Sequence, residues 1–148
     1  MQIAYASLLM HPDYGKKDFN QAKNILEETV EKTKKTEMPA RTILALSLLS
    51  ELEFARNNLD SARSHSAEAV EYVQKMRYMP AVREEEVFFK HYLILKALQD
   101  PEADKHRDMA ADIMTSKAAS ITDEKMKDSF LEKVPLNRMI SEFKKRPR

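Results

Sequence analysis

Glycine occurs once in the 148 residues, as Gly15, and cysteine and tryptophan are absent. Tight β-hairpins draw on Asn-Gly or Asp-Gly pairs at positive φ, and neither pair is present, so the chain lacks the usual turns of a sheet. The same scarcity removes the glycine-rich loops that let a backbone approach phosphate, and with them the common nucleotide-binding fingerprints. Without cysteine there is no disulfide framework, no thiolate metal ligand and no cysteine nucleophile, which fits a reducing compartment. Charge of one sign is also missing. Lys and Arg number 25 against 24 for Asp and Glu, which gives no general attraction to nucleic acid or to an anionic membrane surface. No stretch reaches the roughly 18 uninterrupted apolar residues of a membrane span. The opening MQIAYASLLM has no basic n-region and no small-residue cleavage pattern. The expectation is therefore a soluble, mature, cytoplasmic chain.

What is present is abundant Ala, Leu, Glu, Lys, Met and Arg, the strong helix formers, punctuated by a few prolines. Proline is tolerated in the first turn of a helix and breaks its interior. Pro12, Pro39, Pro80, Pro101 and Pro135, with breaks at RNNLD (56–60) and SITDE (120–124), divide the chain into helical segments. These run over roughly 2–11, 18–36, 39–56, 59–77, 80–98, 101–119, 122–133 and 135–145. Asp18 with Gln21 has the form of a capping box. Asn58 is placed to cap the next segment, Asp100 precedes Pro101 at an expected first helical position, and Thr122 opens the seventh segment. Segment 18–36 is amphipathic, with Phe19, Ala22, Ile25, Leu26, Thr29 and Val30 on one side. Segment 39–56 carries Ile43, Leu44, Leu46, Leu48, Leu49, Leu52 and Phe54 around too much of its circumference for one-sided burial. Neighbours must cover it on at least two sides.

The chain also repeats itself. Met-Pro-Ala occurs at 38–40 and again at 79–81, offset by 41. KDFNQA (17–22) aligns with NNLDSA (57–62) at an offset of 40, and Ala103 follows Ala62 by 41. Seven residues after each alanine comes another small residue, giving the pairs Ala22 and Thr29, Ala62 and Ala69, Ala103 and Ala110. Seven positions are about two helical turns, so each pair forms a stripe where another backbone can approach closely. A period of this length, filled by two helices and two turns, predicts an all-α superhelix of three helical hairpins, about 2–36, 39–77 and 80–119, closed by C-terminal capping helices over about 122–145. All of it is read as a single domain, 1–148.

The alanines at this spacing, preceded by the polar turns KKDF and RNNL, resemble tetratricopeptide repeats in a lengthened form, over roughly residues 2–119. The tail DSFLEKVPLNRMI (128–140) is similar to the segment that closes such regions in multidomain bacterial signalling and regulatory proteins. The resemblance implies a concave face lined by the leading helix of each hairpin. Its inward positions map onto Ser47, Glu51 and Phe54 in the second hairpin and onto Glu85, Phe88, Tyr92 and Lys96 in the third. Aromatic anchors beside a few charges suit capture of a protein or peptide partner; Phe54, Phe88 and Tyr92 suit an ordinary core equally well. The expected function is a protein or peptide interaction module, the C-terminal part of a larger regulatory protein. The alternative is a sensing domain that takes a peptide or small molecule in its groove. The short first helix leaves the N-terminal end of the stack open, which would suit a longer array or a homodimer.

Nothing in the chain predicts an enzyme. His11, His65, His91 and His106 fall on different segments without the local spacing of a zinc site, so neither a metal nor a cofactor is expected. Glu84, Glu85 and Glu86 follow Pro80 closely and read as negative charge stabilising a helix N-terminus rather than as an acid–base pair. Met76, Met79, Met109 and Met114 read as gap-fillers between hairpins. The basic end KKRPR reads as a solvated terminus.

Overall fold

A computed structural model describes residues 2–76 and 79–145. Eight α-helices and no strand occur among them. The chain divides into two compact units, Met1–Val82 and Arg83–Arg148, and the division falls within the first few residues of the third expected hairpin.

The first unit holds α1 (Gln2–Met10), α2 (Phe19–Lys35), α3 (Pro39–Ala55) and α4 (Leu59–Lys75). Each helix packs on the next, and α1 also reaches α3. Short links make α2, α3 and α4 antiparallel neighbours. α3 is thus covered by α1, α2 and α4, as its broad apolar surface requires. Thr42, Ile43, Leu46, Leu49 and Leu52 are buried there, but Leu44 and Phe54 are not, being 40% and 41% exposed. The small-residue stripes lie where helices meet: Ala22, Thr29, Ala62 and Ala69 are all buried, and Thr29 turns its hydroxyl inward onto the Ile25 carbonyl at 2.7 Å.

The second unit holds α5 (Glu84–Ala97), α6 (Ala103–Ala119), α7 (Glu124–Glu132) and α8 (Pro135–Lys145). α5 and α6 form the third hairpin, and α6 also carries α7 and α8, which pack on each other. Ala103 and Ala110 are buried, as the third stripe requires. The α7–α8 corner is pinned by Asn137, fully buried, whose amide donates to the Phe130 carbonyl at 2.8 Å. Arg107 joins Asp104 and Asp108 at 3.1 and 3.0 Å, and Lys144 of α8 reaches Asp108 at 2.6 Å. Those two cations hold the Asp108 carboxyl below its usual range, Lys144 having the larger effect, although partial burial opposes them.

Several boundaries differ from expectation, each for a local reason. Pro39 opens α3 and Pro135 opens α8, but Pro80 lies in a turn and α5 begins only at Glu84. The Val82 amide donates to the Met79 carbonyl at 3.0 Å, and Val82 is buried, so the chain folds back before the helix can start. The acidic trio Glu84, Glu85 and Glu86 then forms the first turn, where negative charge meets the positive helix end. Pro101 likewise lies in a turn: Asp100 accepts from the Glu102 amide at 2.9 Å, and α6 begins at Ala103. Asp18 caps α2 through the Gln21 amide, and Asp123, not Thr122, caps α7 through the Met126 amide, both at 2.9 Å. Asn58 caps nothing with its side chain and instead donates to Glu53 at 2.7 Å. The expected end of the fourth segment at residue 77 and the basic residues Arg146 and Arg148 lie outside the described residues.

Three helices end in one way. After α2, α3 and α5 the residues Glu37, Asn57 and Gln99 take left-handed backbone, at φ of 51°, 61° and 56°. The next amide in each case reaches back five residues, Met38 to Thr33, Asn58 to Glu53 and Asp100 to Leu95, at 2.9, 2.8 and 2.9 Å. This is the closure that normally selects glycine. Here Glu, Asn and Gln carry the strain, a cost of about 1 kcal/mol at each non-glycine position.

Candidate binding surface

The accessible part of α3 is a continuous face. At about 100° per residue, Leu44, Ser47, Glu51 and Phe54 fall within about a quarter of the helix circumference, opposite the buried Leu46, Leu49 and Glu53. Leu44 and Phe54 are exposed, and Ser47 and Glu51 are half-buried. At one edge this face borders a cleft of about 380 Å³, walled by Met10, Phe19, Leu48 and Ala55, with Ser7, His11, Lys17 and Glu51 supplying polar groups. His11 is held in its loop by the Asp13 amide, which donates to Nδ1 at 3.2 Å. The region thus combines apolar walls with a few polar groups of both signs.

Behind α3 lies a buried anchor. Glu53 is almost completely inaccessible, with Lys23 of α2 at 3.1 Å and the Asn58 amide at 2.7 Å. Burial acts to raise the affinity of this carboxyl for a proton. The hydrogen bonds from Asn58 and Lys23, with the charges of Lys23 and Arg56, outweigh it and leave the group below its usual range. Glu53 thereby ties α3 to α2 and to the turn that starts α4, fixing which face of α3 remains open.

Of the sequence-predicted residues, Ser47, Glu51 and Phe54 are brought together on this surface. The third-hairpin set is not arranged as expected. Glu85, Phe88 and Tyr92 are buried, the first two against α6 and Tyr92 against α8. Its Phe143 ring meets Tyr92 edge-on at 5.8 Å and Phe89 at 5.6 Å, while Lys96 lies 4.7 Å from the Phe143 centroid. Glu85 is held by Lys117 of α6 at 2.5 Å, and Phe88 stacks toward His106 at 6.2 Å. These residues are core and ion-pair partners of the second unit, and only Lys96 stays exposed. Leu44, which the apolar pattern of α3 places among the residues to be buried, is exposed on the same face as Phe54. Its placement opposite the buried positions of α3 was the available signal.

Two further clefts of the first unit are less suited to a ligand. One, of about 390 Å³ near Met38, Pro39 and Tyr72, has its threonine hydroxyls engaged internally, Thr42 donating to Thr33 at 2.9 Å, and Lys34 pairs with Glu68 at its rim. The other, of about 330 Å³, is a charged patch of α2 around Glu28, Glu31 and Lys35. Lys35 bonds Glu31 at 2.8 Å and lowers its proton affinity.

Among the described residues no group of three or more His, Asp or Glu is placed to hold a metal ion, and no helix is long and apolar enough to cross a membrane. Two of the acidic trio of α5 are engaged in ion pairs: Glu86 with Lys90 at 3.0 Å, and Glu85 with Lys117. Comparison with protein-family models, with curated proteins and with solved structures finds no match for this chain.

Proposed function

We propose that this chain is a protein- or peptide-binding module of tetratricopeptide-like type, acting within a larger regulatory protein, and that its recognition surface is the open face of α3 with the adjoining cleft. The observation that carries the reading is the exposure of Leu44 and Phe54 beside Glu51 on a helix whose other faces are buried. Large apolar side chains left on the rigid side of a packed helix favour an occupant that buries them, and a neighbouring charge selects its register. The half-buried Ser47 adds a hydroxyl for hydrogen bonding. The small volume and mixed lining of the cleft favour a side chain or short segment of the partner over a large cofactor.

Affinity capture with the tagged chain, quantified by mass spectrometry, tests this. Phe54→Ala should reduce recovery of the specific partner at least tenfold, as expected for loss of a binding anchor worth about 2 kcal/mol. Because Phe54 is exposed, the helical content should stay unchanged. Equal recovery by the variant rejects α3 as the recognition face. Tyr5 and Leu8, both exposed on the uncharged α1, favour a second reading in which two copies pair through that end. An untagged copy included in the same experiment would then be recovered with the bait.

A further inference from the structure

We infer that the buried contact between His91 and His106 makes the α5–α6 hairpin a pH-sensitive element, stable when the His106 imidazole is neutral and loosened as acidification charges it. The two rings meet edge-on with centroids 4.5 Å apart. His91 is buried, and the Nδ1 atom of His106 is buried with no hydrogen-bond partner among the described residues. Phe88 stacks on the other side of His106 with its centroid at 6.2 Å. A neutral imidazole fits such an aromatic, poorly solvated seat. An imidazolium would place an unneutralised N–H and a charge beside a second histidine.

The surroundings of His106 can be followed element by element. From α5 it faces His91 and the Phe88 ring. On α6 it has Lys105, which opposes protonation, and Glu102, which favours it; Asp100 in the preceding turn also favours it. α8 places its cation Lys144 on Asp108, about 200° around α6 from His106, so that charge is directed elsewhere. Burial is the largest influence, followed by Lys105, and together they outweigh the two carboxylates and leave His106 with a proton affinity below the usual imidazole value of 6.5.

The sign follows from linkage. Below pH 6.5 the unfolded chain takes up a proton at residue 106 that the folded hairpin resists. The stabilising contribution is complete above that pH and declines as the pH falls toward the depressed folded value. The decline begins near pH 6.5, above the ordinary carboxylate range from which Glu53 and Asp108 are themselves lowered.

Hydrogen exchange of the whole chain, corrected for intrinsic rates, tests the inference at pH 7.5 and pH 5.5. Opening of α5 and α6 should increase up to about tenfold at the lower pH in the wild type, the limit for one group with an ordinary value one unit above the test pH. In His106→Phe, which keeps an aromatic ring against Phe88, the change should be under about twofold. Equal acceleration in the two chains, or none in the wild type, overturns the inference. An NMR titration of the wild-type imidazoles keeps the test decisive if the variant does not fold: the His106 midpoint should lie below 6.5, and a midpoint at or above it overturns the inference.

Discussion

Phe89→Ala should destabilise the second unit by about 3–5 kcal/mol, the range for removing a fully packed aromatic ring from a core. Phe89 is 1% exposed, and its centroid lies 5.6 Å from those of both Tyr92 and Phe143. The substitution empties the centre of the cluster that α5 shares with α8. Part of the loss should appear as looser seating of α8, whose Phe143 would keep only its Tyr92 and Lys96 contacts among those that define the cluster. Urea denaturation followed by circular dichroism gives the total, and hydrogen exchange in α8 locates it. A cost below about 1 kcal/mol would mean that the ring is not enclosed as described.

The second large effect is a contrast within one helix. Leu52→Ala should cost about 2–5 kcal/mol, because the side chain is fully buried and its removal leaves a cavity that surrounding helices only partly fill. Leu44→Ala, the same chemical change eight positions earlier, should stay within about 0.5 kcal/mol because the side chain is already 40% exposed. The pair of measurements reads the rotational setting of α3 directly. If both substitutions cost several kcal/mol, Leu44 is core and the open face proposed for partner binding does not exist.

Much of the architecture could be read from residues acting locally. The stripe of Ala22, Thr29, Ala62, Ala69, Ala103 and Ala110 needs no tertiary knowledge: small side chains at two-turn spacing are placed where helices approach, and all six are buried. Asp18 capped its helix as its spacing with Gln21 suggested. Pro80 and Pro101 were misleading because proline fits a preceding turn as well as a first helical turn, and the turn bonds of Val82 and Glu102 decide between them. The left-handed closures at Glu37, Asn57 and Gln99 gave little sign of themselves, since the usual marker, glycine, is not used.

The candidate surface was legible only in part, and the reason is long-range packing. Ser47, Glu51 and Phe54 remain on an accessible face because no later helix of the first unit covers that side of α3. Periodicity alone could place Tyr92 and Glu85 on the corresponding side of α5. It could not foresee that Phe143, 51 positions beyond Tyr92, would settle on the ring, or that Lys117 would claim Glu85. The His91–His106 contact has the same origin: 15 positions apart on antiparallel helices, they share no local motif and meet only when the hairpin closes.

The most direct test of the proposed recognition surface is a hydrogen-exchange footprint of the chain with and without the partner that it captures. Binding through α3 predicts slower exchange concentrated in residues 44–55 and in the cleft around Met10 and Lys17, with α7 and α8 unchanged. Slower exchange confined to α7, α8 or the outer face of α2, with α3 unaffected, would contradict the account.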